Sequence, residues 1–78
     1  MHVAAYILIQ TELGEAAAVA MAAKDIPGVE TAEDVTGPYD VIVRAAAEDV
    51  NLLGKLVVSR IQSIPGITRT LTCPIVNL

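Results

Sequence analysis

Asp25-Ile26-Pro27-Gly28-Val29 recurs as Ser63-Ile64-Pro65-Gly66-Ile67, at an offset of 64 − 26 = 38 residues. Both copies follow an apolar helical pattern. Proline cannot continue a helix, and glycine reaches positive φ without a steric penalty. Each copy therefore reads as a helix stop leading into a strand. The same ungapped offset lays Val3–Ile9 on Val41–Ala47 and the first helical stretch on the second. The chain is two copies of strand–helix–strand.

Between the copies lies Val35-Thr36-Gly37-Pro38-Tyr39-Asp40-Val41-Ile42-Val43, two β-type runs joined by a tight polar turn. Gly37 allows a positive φ, Pro38 presets φ near −65°, and Asp40 has the side chain to bond nearby backbone and close the turn. Outward from this centre, residues 3–10 form an apolar run rich in Ile and Val, which predicts a strand buried on both faces. Residues 15–25 are Ala-rich, with Glu15 first and Lys24 late, the polarity a helix dipole favours. Residues 29–36 alternate as a half-buried strand, and 41–46 form a second buried strand. Residues 49–62 place Val50, Leu53, Val57 and Ile64 at helical spacing, flanked by Leu56 and Ile61, with Asp49 as N-cap. Residues 67–73 alternate again, and Pro74 ends or edges that strand.

The order βαββαβ predicts one domain over residues 1–78. It is an α+β, ferredoxin-like split βαβ fold, an antiparallel four-stranded sheet with both helices on one face. Alternation assigns Val3, Ala5, Ile7, Ile9, Val29, Val35, Val41, Val43, Ala45, Leu71 and Cys73 to the helix-covered face. The other face collects Tyr6, Leu8, Glu30, Asp34, Thr36, Ile42, Arg44, Thr68, Thr70 and Thr72. A face carrying Tyr6, Leu8 and Ile42 is too apolar to stay bare. The expectation is a homodimer with sheets packed face to face, a dimeric α/β barrel.

Composition points the same way. Hydrophobic residues make up 54% of the 78-residue chain and charged residues only 18%, an apolar surface for so small a domain. No run approaches the roughly 18 apolar residues needed to span a bilayer, so burial against partners is the better account than a membrane. The net charge is −4, without the basic patch that phosphate binding needs, which argues against direct contact with nucleic acid. One cysteine suits a reducing cytoplasm, the expected location.

Catalytic chemistry finds little support. His2 sits beside the terminus, no Cys/His cluster has zinc spacing, and the glycines are isolated. Neither a metal nor a cofactor is expected. The acidic run Glu30, Glu33, Asp34 reads as a solvated edge, Cys73 as a buried structural thiol, and Arg44 as a partner for Glu30 or Asp34. A small-ligand site at turns and strand ends remains. For an α-amino acid, Asp40 or Asp34 would meet the ammonium. Backbone amides near Gly37, with Thr70 and Thr72, would meet the carboxylate.

The IPGV of the first helix end, the VTGPYDVIV hairpin and the closing IPGITRTLTCPIV together resemble the ligand-binding domain of the Lrp/AsnC family of transcription regulators. The resemblance covers essentially the whole chain. It implies dimerisation through the sheet, further assembly from tetramers to octamers, and amino acids or related effectors bound between dimers near the hairpin. By position it implies Thr36, Gly37, Tyr39 and Asp40 as ligand contacts, with Thr70 and Thr72 as less direct contributors. Glu48 and Asp49, in the loop before the second helix, are implied as well. Full-length members carry an N-terminal helix-turn-helix, whereas here the first strand begins by Val3. The expectation is a stand-alone, non-enzymatic sensing module, reaching DNA through mixed assembly with a full-length relative. Two alternatives stand beside it. One is a small oxygenase or isomerase of the dimeric barrel type, using Tyr6, Arg44 and Asp34 on the open face; the other is a purely structural oligomerisation domain.

Overall fold

A computed structural model describes residues 2–76. The sheet holds strands β1 (Val3–Thr11), β2 (Val29–Asp34), β3 (Val41–Ala47) and β4 (Ile67–Pro74), in the order β2-β3-β1-β4. Every neighbouring pair is antiparallel. The duplication explains this order, because the central strands β3 and β1 are equivalent in the repeat, and so are the edge strands β2 and β4. Helix α1 (Ala16–Lys24) follows β1. Helix α2 follows β3 and runs through Val50–Leu52, a π-helical middle Leu53–Val58, and Ser59–Gln62.

Both helices cover one face. Ala5, Ile7 and Ile9 of β1, Ala32 of β2, and Val41, Val43 and Ala45 of β3 are buried beneath Val19, Ala20 and Ala23 of α1 and Leu53, Val57 and Ile61 of α2. Ile7, Ile9 and Ile61 are wholly inaccessible. Burying an aliphatic side chain of this size contributes roughly 1.5–3 kcal/mol, so these few residues dominate the stability of so short a chain.

Helix α2 departs from the expected spacing. Val50 is 66% exposed, whereas Ile61 belongs to the core. The i→i+5 bonding of the π segment widens the turn. Residues four apart, Leu53, Val57 and Ile61, then share one face, and Val50 falls off it. Asp49 caps the helix as expected, its Oδ1 accepting the Leu52 N–H at 2.9 Å. The side chain of Leu56 lies outside the described part.

Both Pro-Gly pairs make the turns they predict. The Val29 N–H donates to the Ile26 carbonyl at 3.1 Å, with Pro27 and Gly28 at the centre and Gly28 at φ +99. That is the type II pattern of Pro then Gly. Gly66, its counterpart, has φ +95.

Immediately after each turn the strand pairing slips. The register shifts between Val29 and Thr31 on β2, and between Ile67 and Arg69 opposite Thr11 and Gln10 on β4. The extra residues are Glu30 and Thr68, related by 68 − 30 = 38, so the bulge is duplicated with the rest of the half. A bulge changes the parity of every residue beyond it.

The alternation expected for β4 is therefore inverted. Leu71 lies opposite Leu8 and Cys73 opposite Tyr6 on the open face, and both are exposed. Thr70 and Thr72 lie opposite Ile9 and Ile7 on the helix side, where Gln62 Nε2 donates to Thr70 Oγ1 at 3.2 Å. On β2, Asp34 lies opposite Val41 on the helix side, not on the open face. Val35, expected in the core, is 37% exposed.

Candidate functional site

The hairpin turn is fastened to the end of β1. The Asp40 N–H donates to the Ile9 carbonyl at 2.8 Å, and the Val35 N–H to the Asp40 carbonyl at 2.9 Å. Gln10 Nε2 donates to the Pro38 carbonyl at 3.0 Å. Asp40 Oδ2 accepts the Thr11 N–H at 2.8 Å and lies 3.4 Å from Thr11 Oγ1. The Asp40 carboxylate thus ties the turn to a neighbouring strand rather than closing its own hairpin. Gly37, at φ +146, would have nothing within 4 Å of an added Cβ. Tyr39 and Asp40 are half-buried, while Thr36 and Gly37 are exposed. The result is an anchored turn with an open backbone tip.

Beside it, Asp34, Val35, Thr36 and Ala16 line a shallow groove of about 520 Å³. Asp34 and Thr36 therefore meet on the α1 side of the hairpin. Thr70 is on β4, beyond β1, and Thr72 is one step further along that strand.

Glu48 and Asp49 belong elsewhere. They follow the far end of β3, and an extended strand from Asp40 to Glu48 covers about 25 Å. The Asp49 carboxylate is engaged as the α2 cap. Glu48 lines a different groove, of about 620 Å³, with Ala4, Gly28, Glu30, Arg44 and Ala46. Within one protomer the expected ligand-contact positions divide between the two ends of the sheet.

The open face carries a feature that strand alternation alone brought into view only in part. Arg44 Nε donates to Glu30 Oε1 at 2.9 Å, and Nη1 donates to the Tyr6 hydroxyl at 3.1 Å. The guanidinium carbon is 5.4 Å from the centre of the Tyr6 ring, within cation–π range. The hydrogen bonds that Arg44 donates to Tyr6, first, and to Glu30 raise its pKa above the ordinary value. The guanidinium stays charged throughout any working pH range. Arg44 and Tyr6 meet because they are register partners on β3 and β1, and Glu30 joins them through the β2 bulge. Asp34, the third residue of the alternative enzymatic constellation, is on the other face.

Around this cluster, Tyr6 (41% exposed) and Leu71 (43% exposed) lie uncovered, and half-buried Leu8 is paired with Leu71 on one side and with half-buried Ile42 on the other. They form an apolar surface across the three strands β3, β1 and β4.

Comparison with known proteins places this geometry. The model of the Lrp/AsnC ligand binding domain matches residues 4–77. A protein of Thermus thermophilus is similar in structure, with a TM-score of 0.89, 30% identity, and coverage of 97% of this chain and 95% of that one. E. coli AsnC shares the fold at a TM-score of 0.86 and 19% identity, over 97% of this chain and 52% of AsnC. This chain thus spans about half the length of that regulator. Among curated proteins, 47 residues, 60% of this chain, are 36% identical to the homocitrate synthase of Sulfurisphaera tokodaii. They span 10% of that enzyme, too little to carry its activity across.

Proposed function

The chain belongs to the Lrp/AsnC ligand-binding domain family, and on that premise we propose that it is a non-enzymatic sensing and oligomerisation module for transcription regulation of amino acid metabolism. Its effector is an amino acid or a related small molecule, bound at the hairpin end of the sheet. Thr36, Gly37, Tyr39 and Asp34 offer the contacts there. Asp40 holds the turn in place for them, and Thr70 and Thr72 shape the neighbouring strand.

The observation that carries this reading is the anchored hairpin. Bonds from Gln10, Thr11 and the Asp40 main chain fix a turn whose glycine tip is open. A turn serving only to reverse the chain needs no such fastening. Backbone amides held at a rigid tip suit a ligand carboxylate at low ordering cost.

The uncovered sheet supports assembly. Tyr6, Leu8, Ile42 and Leu71 would be sequestered by a second copy across a two-fold axis. Glu48 and Asp49 would then contribute to a hairpin site only from another protomer, since they lie at the opposite end of their own sheet. Effector binding between subunits would shift assembly by its differential affinity for the assembled state. With a net charge of −4, the module leaves DNA contact to another domain or to a full-length relative in the same cytoplasmic assembly.

Thermal stability measured against a panel of free amino acids tests the reading. A ligand present at 100 times its dissociation constant adds about 2.7 kcal/mol. In a domain of this size that is a rise of roughly 10 °C or more. No rise with any member of the panel would remove the sensing role. A monomer in light scattering at micromolar concentration would remove the assembly role.

A further inference from the structure

We infer that the first half of helix α2 is a two-register switch, held in its wide π form by the Asp49 cap and able to close into a regular α-helix that buries Val50. The period of the side chains and the path of the backbone disagree over one segment only. On a helix of 3.6 residues per turn, Val50, Leu53, Val57 and Ile61 fall within an arc of about 80°, a complete core-facing stripe. In the structure Leu53, Val57 and Ile61 are buried, while Val50 is 66% exposed. The π segment Leu53–Val58 separates Val50 from the packed end, and just beyond it the Ser59 N–H donates to the Gly54 carbonyl, five residues back.

The other half of the repeat manages without the wide form. Helix α1 spans Ala16–Lys24, the counterpart of Gly54–Gln62 at the 38-residue offset, and is α throughout. Its Val19 and Ala23, counterparts of Val57 and Ile61, are buried in the same way. Its first turn closes four residues back, the Val19 N–H donating to the Glu15 carbonyl at 2.9 Å. The two helices differ at their starts. Glu15 makes no side-chain cap on α1. Helix α2 begins at Val50, the counterpart of Glu12 (50 − 38 = 12), and Asp49 Oδ1 accepts the Leu52 N–H at 2.9 Å. Helix α2 is thus fixed at both ends: the cap sets its first turn, and Val57 and Ile61 set its last. The ends are out of phase by about one residue, and the π segment takes up the excess.

Release of the cap removes one of these two constraints. The first turn then rotates by one residue step, roughly 100°, and Val50 joins the stripe and leaves water. Gly54 has no packing to lose as the segment narrows, since an added Cβ there would have nothing within 4 Å. The rotation carries Glu48 and Asp49 with it. On the sensing reading these two positions reach the hairpin of another subunit, so on that reading the register of α2 and the state of the assembly are linked.

The test is the reaction rate of a thiol at position 50, in the full chain carrying Val50→Cys, with Cys73→Ser removing the exposed native thiol. With Asp49 intact, the thiol should react nearly as fast as free cysteine. Adding Asp49→Ala should slow it by about tenfold, as the exposed register falls to about a tenth of the population. Deletion of Gly54 supplies the control. It takes out the surplus residue and no side chain, so both helix ends keep their places and there is no second register. In that chain Asp49→Ala should change the rate by no more than about twofold. Fraying of an uncapped end would act alike in both chains. Circular dichroism checks the fold of each variant. If the deletion does not fold, nuclear Overhauser contacts between the Val50 methyls and Ile61 in Asp49→Ala decide; if Asp49→Ala does not fold, Asp49→Glu, which lengthens the side chain past the cap geometry, replaces it. A rate unchanged or raised by Asp49→Ala, a slowing that persists in the deleted chain, or absent Val50–Ile61 contacts would overturn the switch. The assay contains no effector, so its failure leaves the sensing reading standing, and failure of that reading leaves the switch standing.

Discussion

Replacing Gly28 with alanine probes the duplicated turn on which the fold depends. Gly28 sits at φ +99, and a Cβ there would lie 2.8 Å from Val57 Cγ2 and 3.1 Å from the Ala46 carbonyl oxygen. Two costs add. A residue with a Cβ in left-handed backbone costs roughly 1–2 kcal/mol. Forcing a methyl group into occupied space costs typically about 1–3 kcal/mol more. The sum, about 3 kcal/mol, is a large part of the 5–15 kcal/mol typical of whole domains. Gly14→Ala is the control, because Gly14 has φ +84 but nothing within 4 Å of an added Cβ. It should cost only the backbone part, about 1 kcal/mol. Gly66→Ala falls between them, its Cβ meeting Glu15 Cβ at 3.2 Å. Urea unfolding at matched protein concentration reads the difference. With a slope near 1 kcal/mol/M for so small a chain, Gly28→Ala should lower the midpoint by about 3 M and Gly14→Ala by about 1 M. Equal midpoints for the two variants would refute the close packing of the turn against helix α2 and strand β3.

Other substitutions test separate parts of the argument. Asp40→Asn removes the charged acceptor of the Thr11 N–H and should cost about 1.5 kcal/mol in urea unfolding. Proton exchange at the Thr11 amide should accelerate, and an unchanged exchange rate would show that the carboxylate does not hold the turn. Asp49→Ala removes the α2 cap and should cost about 1 kcal/mol, with reduced helical circular dichroism. Ile61→Ala should cost about 2–5 kcal/mol, whereas Val50→Ala, on an exposed position of the same helix, should stay within about 0.5 kcal/mol. Similar losses for both would refute the π-widened register. Leu71→Lys, on the open face, should yield a folded monomer by light scattering with the melting behaviour of an intact core. A dimer of unchanged affinity would place the subunit contact elsewhere.

The pattern of these residues shows where sequence reasoning holds and where it stops. The 38-residue repeat, the two Pro-Gly stops and the short apolar runs were enough for six elements, their order and the sheet connectivity, because turn chemistry and hydrophobic period act over a few neighbouring residues. They were enough for the Asp49 cap as well, and for an acidic partner of Arg44, though not for the choice of Glu30 over Asp34. They were not enough for the faces of β2 and β4. A bulge leaves no local mark at Glu30 or Thr68, since it is produced by pairing with a strand many residues away. Its consequence reached every residue beyond it: Leu71 and Cys73 moved outward, and Thr70, Thr72 and Asp34 moved to the helix side.

The candidate site divides in the same manner. The hairpin was legible because Gly37, Pro38 and Asp40 are adjacent and each restricts the backbone in its own way. That the Asp40 carboxylate is spent on Thr11 follows from β1 lying beside β3, whereas Glu48 stands a full strand length from Tyr39 because β3 runs between them. Local chemistry, written in consecutive side chains, determined which elements this chain makes and in what order. Register, and with it the side of the sheet on which each polar group stands, was decided only when distant strands met, because a hydrogen-bond ladder is satisfied by both of its strands together.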